Sequence, residues 1–266
     1  IQSYTKGMGE VIIVGAGPGD AELMTIKGLK ALQNADVVLF DWLVSKEVLE
    51  LIPSHIEKIF VGKRCGKHSM QQTDICELVV EQALLGKRVV RLKGGDPAIF
   101  ARTLEETKLI AQHNIPFCII PGITAASGAS AYTGLMLTHR ECAQSVRYVT
   151  ASLKTINDEP NWRQITNNCE TETLVFYMGL SKLELITQRL MQAGVKHDFP
   201  IAIIDNACTS KQQLVTGTID KISNNELVQT FTGPALIIVG RVVEHYQEVT
   251  INPLNLHQNR EITAPV

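Results

Sequence analysis

Apolar and polar positions fall into alternating blocks along the chain. Glu10 leads into the apolar run Val11-Ile12-Ile13-Val14, closed by Gly15-Ala-Gly-Pro-Gly-Asp20. A short apolar run that ends in dense turn residues reads as a buried strand and a tight loop. Residues 22–33 read as a helix and 36–40 as a second strand. A third strand is expected at 56–61. Residues 71–85 carry Ile75, Leu78, Val79 and Ala83 at helical spacing, with Thr73 as the expected N-cap and Gly86 as the stop. Residues 88–92 read as a strand running into Lys93-Gly94-Gly95-Asp96-Pro97, 103–113 as a helix and 116–120 as a strand.

Strands alternating with helices predict an α/β fold with a mainly parallel sheet. The pattern loosens after Pro121-Gly122, where the small residues of 124–131 read as a tightly packed helix. Further strands are expected near 146–150, 173–178, 200–205, 213–218 and 235–243, with a helix at 181–193. This predicts an N-terminal α/β domain at 8–121, a C-terminal α/β domain at 122–246 and a polar tail at 247–266.

Composition narrows the function classes. With 45% hydrophobic and 20% charged residues over 266 positions, the chain is an ordinary globular one. A net charge of −2 gives no global field for nucleic acid or an anionic membrane, so an anionic ligand must be met by a local basic patch. Six cysteines lie scattered without a Cys-x-x-Cys pair, which reads as reduced thiols rather than a disulfide scaffold. No apolar run reaches membrane-span length and no signal peptide is evident, so a cytoplasmic protein is expected.

Two glycine-rich loops close strands, at 15–19 and 94–95. Glycines let backbone approach a ligand closely. The first loop is G-x-G-x-G rather than G-x-G-x-x-G, and Pro18 removes an N–H that a phosphate cradle would use. This argues against a dinucleotide and for a neutral or cationic adenosyl ligand. A pair of mere tight turns is the plainer alternative. Asp41 and Lys63 each follow a strand, as a carboxylate and an amine suited to proton transfer, or as ordinary solvated charges. Lys63, Arg64, Lys67 and His68 form a basic cluster that suits a polyanion or a solvated loop. Arg102 and Glu105 share a helix face, where an internal surface ion pair is the plain reading. Cys65-x-x-His68 has no second ligand pair nearby, and His139 has no evident partner, so no metal is expected.

Taken in order, eight segments resemble the tetrapyrrole methylase family over roughly residues 9–245. They are Val14-Gly-Ala-Gly-Pro-Gly-Asp20, Phe40-Asp-Trp-Leu-Val-Ser45, Val61-Gly-Lys-Arg-Cys-Gly-Lys-His68 and Arg91-Leu-Lys-Gly-Gly-Asp-Pro97 in the first half. In the second half they are Pro121-Gly-Ile-Thr-Ala-Ala-Ser127, Leu137-Thr-His-Arg140, Tyr177-Met-Gly-Leu180 and Gly233-Pro-Ala-Leu-Ile-Ile-Val-Gly240. Within the family they look most like the enzymes that C-methylate uroporphyrinogen III at C2 and C7 to give precorrin-2, for sirohaem or cobalamin synthesis.

The resemblance implies two α/β domains with mixed, mainly parallel sheets, unlike the Rossmann-type methyltransferases. It also implies a homodimer, with S-adenosyl-L-methionine bound in a cleft between the domains. By motif position it places cofactor contacts at Pro18, Gly94, Gly95, Asp96, Ile99, Thr124, Ala125, Met178 and Ala207. Asp41 takes the role of proton acceptor, Lys63 of proton donor, and Arg102 and Glu105 fall at the substrate site. The chain departs from the family pattern at Ala98, Thr103 and Leu104, which affects substrate fit. Competing readings are a methylase of a later precorrin and a non-catalytic S-adenosylmethionine-binding module.

Overall fold

The computed structural model describes residues 7–62, 70–151 and 159–256. The chain divides into two compact units, Ile1–Ala125 and Ala126–Val266.

In the first unit, strands β1 (Glu10–Gly15), β2 (Val37–Phe40), β3 (Glu57–Phe60), β4 (Arg88–Lys93) and β5 (Phe117–Ile120) form one sheet in the order β3-β2-β4-β1-β5. Every pairing in it is parallel. Helices α1 (Ile26–Gln33) and α2 (Lys46–Leu49) cover one face, where Ala31, Leu32 and Val48 pack with Val14, Val38, Val90 and Leu92. Helices α3 (Gln72–Leu84) and α4 (Thr103–Gln112) cover the other, where Ile75, Val79, Ala83 and Ile110 pack with Val11, Ile13, Val37 and Val89. A sheet buried on both faces needs nearly continuous apolar strands, which explains runs such as Val11–Val14. The expected cap of α3 moves from Thr73 to Gln71. The Asp74 carboxylate reaches back to accept the Gln71 backbone N–H at 3.0 Å, and that bond fixes the helix start two residues earlier. Gly86 ends the helix with φ +83°.

In the second unit, α5 (Ala125–Thr133) leads to β6 (Ser145–Thr150), α6 (Trp162–Thr166), β7 (Glu172–Tyr177), α7 (Leu183–Gln192), β8 (Pro200–Asp205), β9 (Gln213–Thr218) and β10 (Ala235–Val239). The sheet order is β6-β7-β10-β8-β9. Only β6 and β7 pair in parallel; the other pairings are antiparallel. Phe176, Leu190, Phe199, Ile201, Ile203 and Ile237 form its core. Strand β10 stops at Val239 rather than near 243. Arg241–His245 coils into a 3₁₀ turn instead, because Arg241 is drawn to Glu170 and lies over the Phe199 ring at 4.6 Å. Past residue 246, the carbonyl of Gln247 lies directly against Gly134.

Candidate active site

Because the first sheet is parallel, all its strands end along one edge. Phe60, Phe40, Leu92, Val14 and Ile120 form a single row of register partners across it. The loops that follow these residues therefore emerge together, and in open α/β sheets that edge is where ligands bind. Three of the loops are tied to each other. Ala16 N–H donates to the Lys93 carbonyl at 2.7 Å, and Gly17 and Gly95 exchange backbone bonds at 3.2 and 2.8 Å. The Asp96 carboxylate accepts from Ala98 N–H at 2.8 Å and Gly122 N–H at 3.0 Å. Asp96 is thus the pin that joins the loops after β4 and β5. A Cβ at Gly15 would sit 2.6 Å from the Gly122 nitrogen, so glycine is required for the strand ends to meet. Gly95 differs: its φ is +67° and a Cβ would meet nothing nearer than the Ala125 nitrogen at 3.9 Å. It presents bare backbone to open space.

Half-buried Pro18, Gly94, Gly95, Asp96, Ile99 and Thr124 lie on these loops, and half-buried Ala125 opens α5 directly after the third. The segments 15–19, 94–99 and 121–125 carry no basic side chain. Such a surface fits a cationic sulfonium ligand with hydrogen-bonding edges.

Asp41 immediately follows β2. One carboxylate oxygen accepts the Leu43 N–H at 3.0 Å and the other lies 3.5 Å from Arg91 Nη2. Arg91 belongs to a buried cluster that sequence reasoning passed over. Its Nε donates to Glu106 Oε1 at 3.0 Å, and Lys93 Nζ donates to Glu106 Oε2 at 2.8 Å. The Glu106 side chain is 1% exposed and those of Arg91 and Lys93 are 4% exposed. Burial pushes the Lys93 amine below its ordinary value, and the nearby Glu106 carboxylate opposes that push. The signal in the sequence was two cations at alternate positions of an otherwise apolar central strand, hence on one face of β4.

Arg102 and Glu105 sit on the surface and pair bidentately at 2.8 and 2.7 Å. This hydrogen bond raises the Arg102 value further. Arg102 has φ +55° and Phe100 φ +49°. Left-handed backbone in bulky residues is strained and persists only where the surrounding structure imposes it. In the second unit, Met178 (φ +57°) follows β7, while Asn206 (φ +48°) and Cys208 (φ +59°) flank Ala207 after β8. Met178 is half exposed. Two strand ends of that sheet thus carry the same backbone signature as the Phe100–Arg102 loop.

Lys63, expected as proton donor, lies outside the described residues, as do Arg64, Cys65, Lys67 and His68. His139 has partners that its sequence neighbourhood did not reveal. Its ring stacks on His245 with centroids 4.5 Å apart, and Cys142 lies beside both. None of the described helices is long and apolar enough to cross a membrane.

The model of the tetrapyrrole (corrin/porphyrin) methylases matches residues 10–223. Siroheme synthase of Enterobacter sp. (strain 638) is 49% identical over 236 residues, which is 89% of this chain and 50% of that protein. The Salmonella paratyphi B siroheme synthase is also 49% identical, over 88% of the chain. The chain spans about half the length of these relatives. Among solved structures, uroporphyrin-III C-methyltransferase from Thermus thermophilus, complexed with S-adenosyl homocysteine, superposes with a TM-score of 0.77 at 35% identity. It covers 90% of this chain and all of that one. A cobalt precorrin-4 methyltransferase gives the same TM-score at 25% identity, covering 88% of this chain and 95% of that one. With the motif loops gathered at one sheet edge and this extent of likeness, the chain belongs to the tetrapyrrole methylase family.

Proposed function

We propose that this chain transfers methyl groups from S-adenosyl-L-methionine to C2 and C7 of uroporphyrinogen III, giving precorrin-2 for sirohaem or cobalamin synthesis. The observation that carries the reading is the Asp41 carboxylate, held by Arg91 at the same sheet edge as the open Gly95 backbone. It stands in a chain 35% identical to a uroporphyrin-III C-methyltransferase over 90% of its length.

When bound, S-adenosylmethionine supplies a methyl group already activated by its sulfonium, so the protein need not provide a strong nucleophile. Pro18, Gly94, Gly95, Asp96, Ile99, Thr124 and Ala125 of the first unit would hold it through uncharged backbone and small side chains. Met178 and Ala207 are the expected contacts of the second. Catalysis is then mainly positioning, which contributes about 7–11 kcal/mol when geometry is good. Asp41 accepts the proton that leaves the methylated ring carbon, and its ion pair with Arg91 fixes the direction of the carboxylate. Exposed Trp42 and Leu43 beside Asp41 offer apolar surface to the macrocycle. Arg102 exchanges Glu105 for one of the eight substrate carboxylates, and Lys63 serves as proton donor. The assembly is a cytoplasmic homodimer in this reading. Exposed Phe117 and Ile119 on edge strand β5 supply an apolar face for the second copy.

The test is incubation with methyl-labelled S-adenosylmethionine and uroporphyrinogen III, counting methyls per product. Two methyls at C2 and C7 are expected. Donor binding without transfer would mark a non-catalytic module, and transfer only to a later precorrin would mark a different step.

A further inference from the structure

We propose that His139, Cys142 and His245 of the second unit form a binding site for a zinc-class divalent ion. One ligand atom from each lies within 4.8 Å of the others. A tetrahedral zinc with bonds of ~2.0–2.3 Å needs its ligand atoms about 3.3–3.6 Å apart, so closure draws them together by about 1 Å and turns one imidazole out of the stack. Two imidazoles and one thiolate are the donor set that a borderline-soft ion takes in preference to magnesium or calcium. Three protein ligands leave a fourth position for water.

Both arms of the site are anchored. His139 and Ala143 exchange backbone bonds at 3.0 and 2.9 Å, which closes a tight loop with Cys142 three residues from His139. His245 ends the 3₁₀ turn Arg241–His245, and Arg241 is fixed by two contacts to Glu170 and one to Glu244. The two His rings stack with centroids 4.5 Å apart and planes 4° off parallel, so one imidazole must turn about its side-chain bonds for an ion to lie in both ring planes. An open depression of about 570 Å³ borders the loop at residues 138–144 and gives solvent access. Binding would send the thiol proton to solvent. It would also end the 3.3 Å bond from Glu141 N–H to His139 Nδ1: an ion on Nδ1 replaces that donor, and an ion on Nε2 leaves a proton on Nδ1.

The test uses the full chain, stripped with a chelator and then titrated with Zn(II) against a chromophoric competitor. A parallel titration with Co(II) reads the thiolate-to-cobalt charge-transfer band. One ion per chain and a charge-transfer band are expected. Cys142→Ser should abolish the band. His245→Gln, at an exposed position the fold tolerates, should weaken zinc by at least about 100-fold, more than the ~10–100-fold typical of losing an outer-sphere partner. Cys65→Ser should change nothing. Absence of stoichiometric binding overturns the proposal. So does a band that survives Cys142→Ser or disappears with Cys65→Ser.

Discussion

Replacing Glu106 by glutamine tests how much of the first unit depends on its buried charges. Glu106 is the shared anion of Arg91 and Lys93, at 3.0 and 2.8 Å, in a setting 1–4% exposed. Glutamine keeps the shape but removes the charge. It also turns an N–H₂ group toward one of two cations that have only donors to offer. Asp41, 3.5 Å from Arg91, remains near the cluster and acts on Lys93 more weakly than Glu106 does. Breaking a buried pair by removing one partner costs about 3–5 kcal/mol, a large part of a domain's ~5–15 kcal/mol. Denaturant unfolding should show that loss as a lower midpoint at an unchanged slope. The pH dependence should change as well. Lys93 is held below its usual 10.5 by burial, so over the window between its folded and unfolded values the unfolded chain binds more protons and stability rises with pH. Without Glu106 the folded value falls further and that window opens at lower pH. Adding Lys93→Met to Glu106→Gln removes the stranded amine and should recover part of the loss, as a non-additive pair. A loss under about 1 kcal/mol, with no coupling between the two changes, would show that water already compensates these charges and would refute the reasoning.

Two further outcomes are expected at the candidate site. Asp41→Asn should keep melting temperature and donor affinity while slowing single-turnover methyl transfer by roughly 10²–10⁴, the range for a lost general base; a folded, fully active variant would move the base elsewhere. Arg102→Ala should raise the substrate KM by the equivalent of ~1.5–3 kcal/mol with donor binding intact; wild-type kinetics would leave Arg102 as the surface partner of Glu105 alone.

The parallel sheet was legible because β1, β2 and β5 are apolar runs and the ends of β1, β4 and β5 are marked by glycine and proline. The two short helices Lys46–Leu49 and Trp162–Thr166 were not, since four or five residues are too few to establish a helical period. The end of β10 was misplaced because Val242 and Val243 continue its apolar pattern while serving a 3₁₀ turn. At the candidate site, the glycine loops and Asp41 stood out through local composition. The Arg91–Glu106–Lys93 cluster did not, because alternate spacing puts Arg91 and Lys93 on one face of β4 but only the fold brings Glu106 of α4 against them. The His139–His245 contact joins positions on either side of the second sheet's sequence, and no motif spans that distance.

The strand order β3-β2-β4-β1-β5 also bears on synthesis. Strand β1 is made first yet sits between β4 and β5, so its hydrogen-bonding partners are complete only about 80 to 105 residues after Gly15. At translation rates of ~5–20 residues per second, that is roughly 4–20 s. Until β4 is made, Val11-Ile12-Ile13-Val14 has both edges open on a growing chain, and until β5 is made it has one; an unpaired apolar strand is a template for wrong pairing. Loop 15–19 therefore exists long before the loops after β4 and β5 that tie it down.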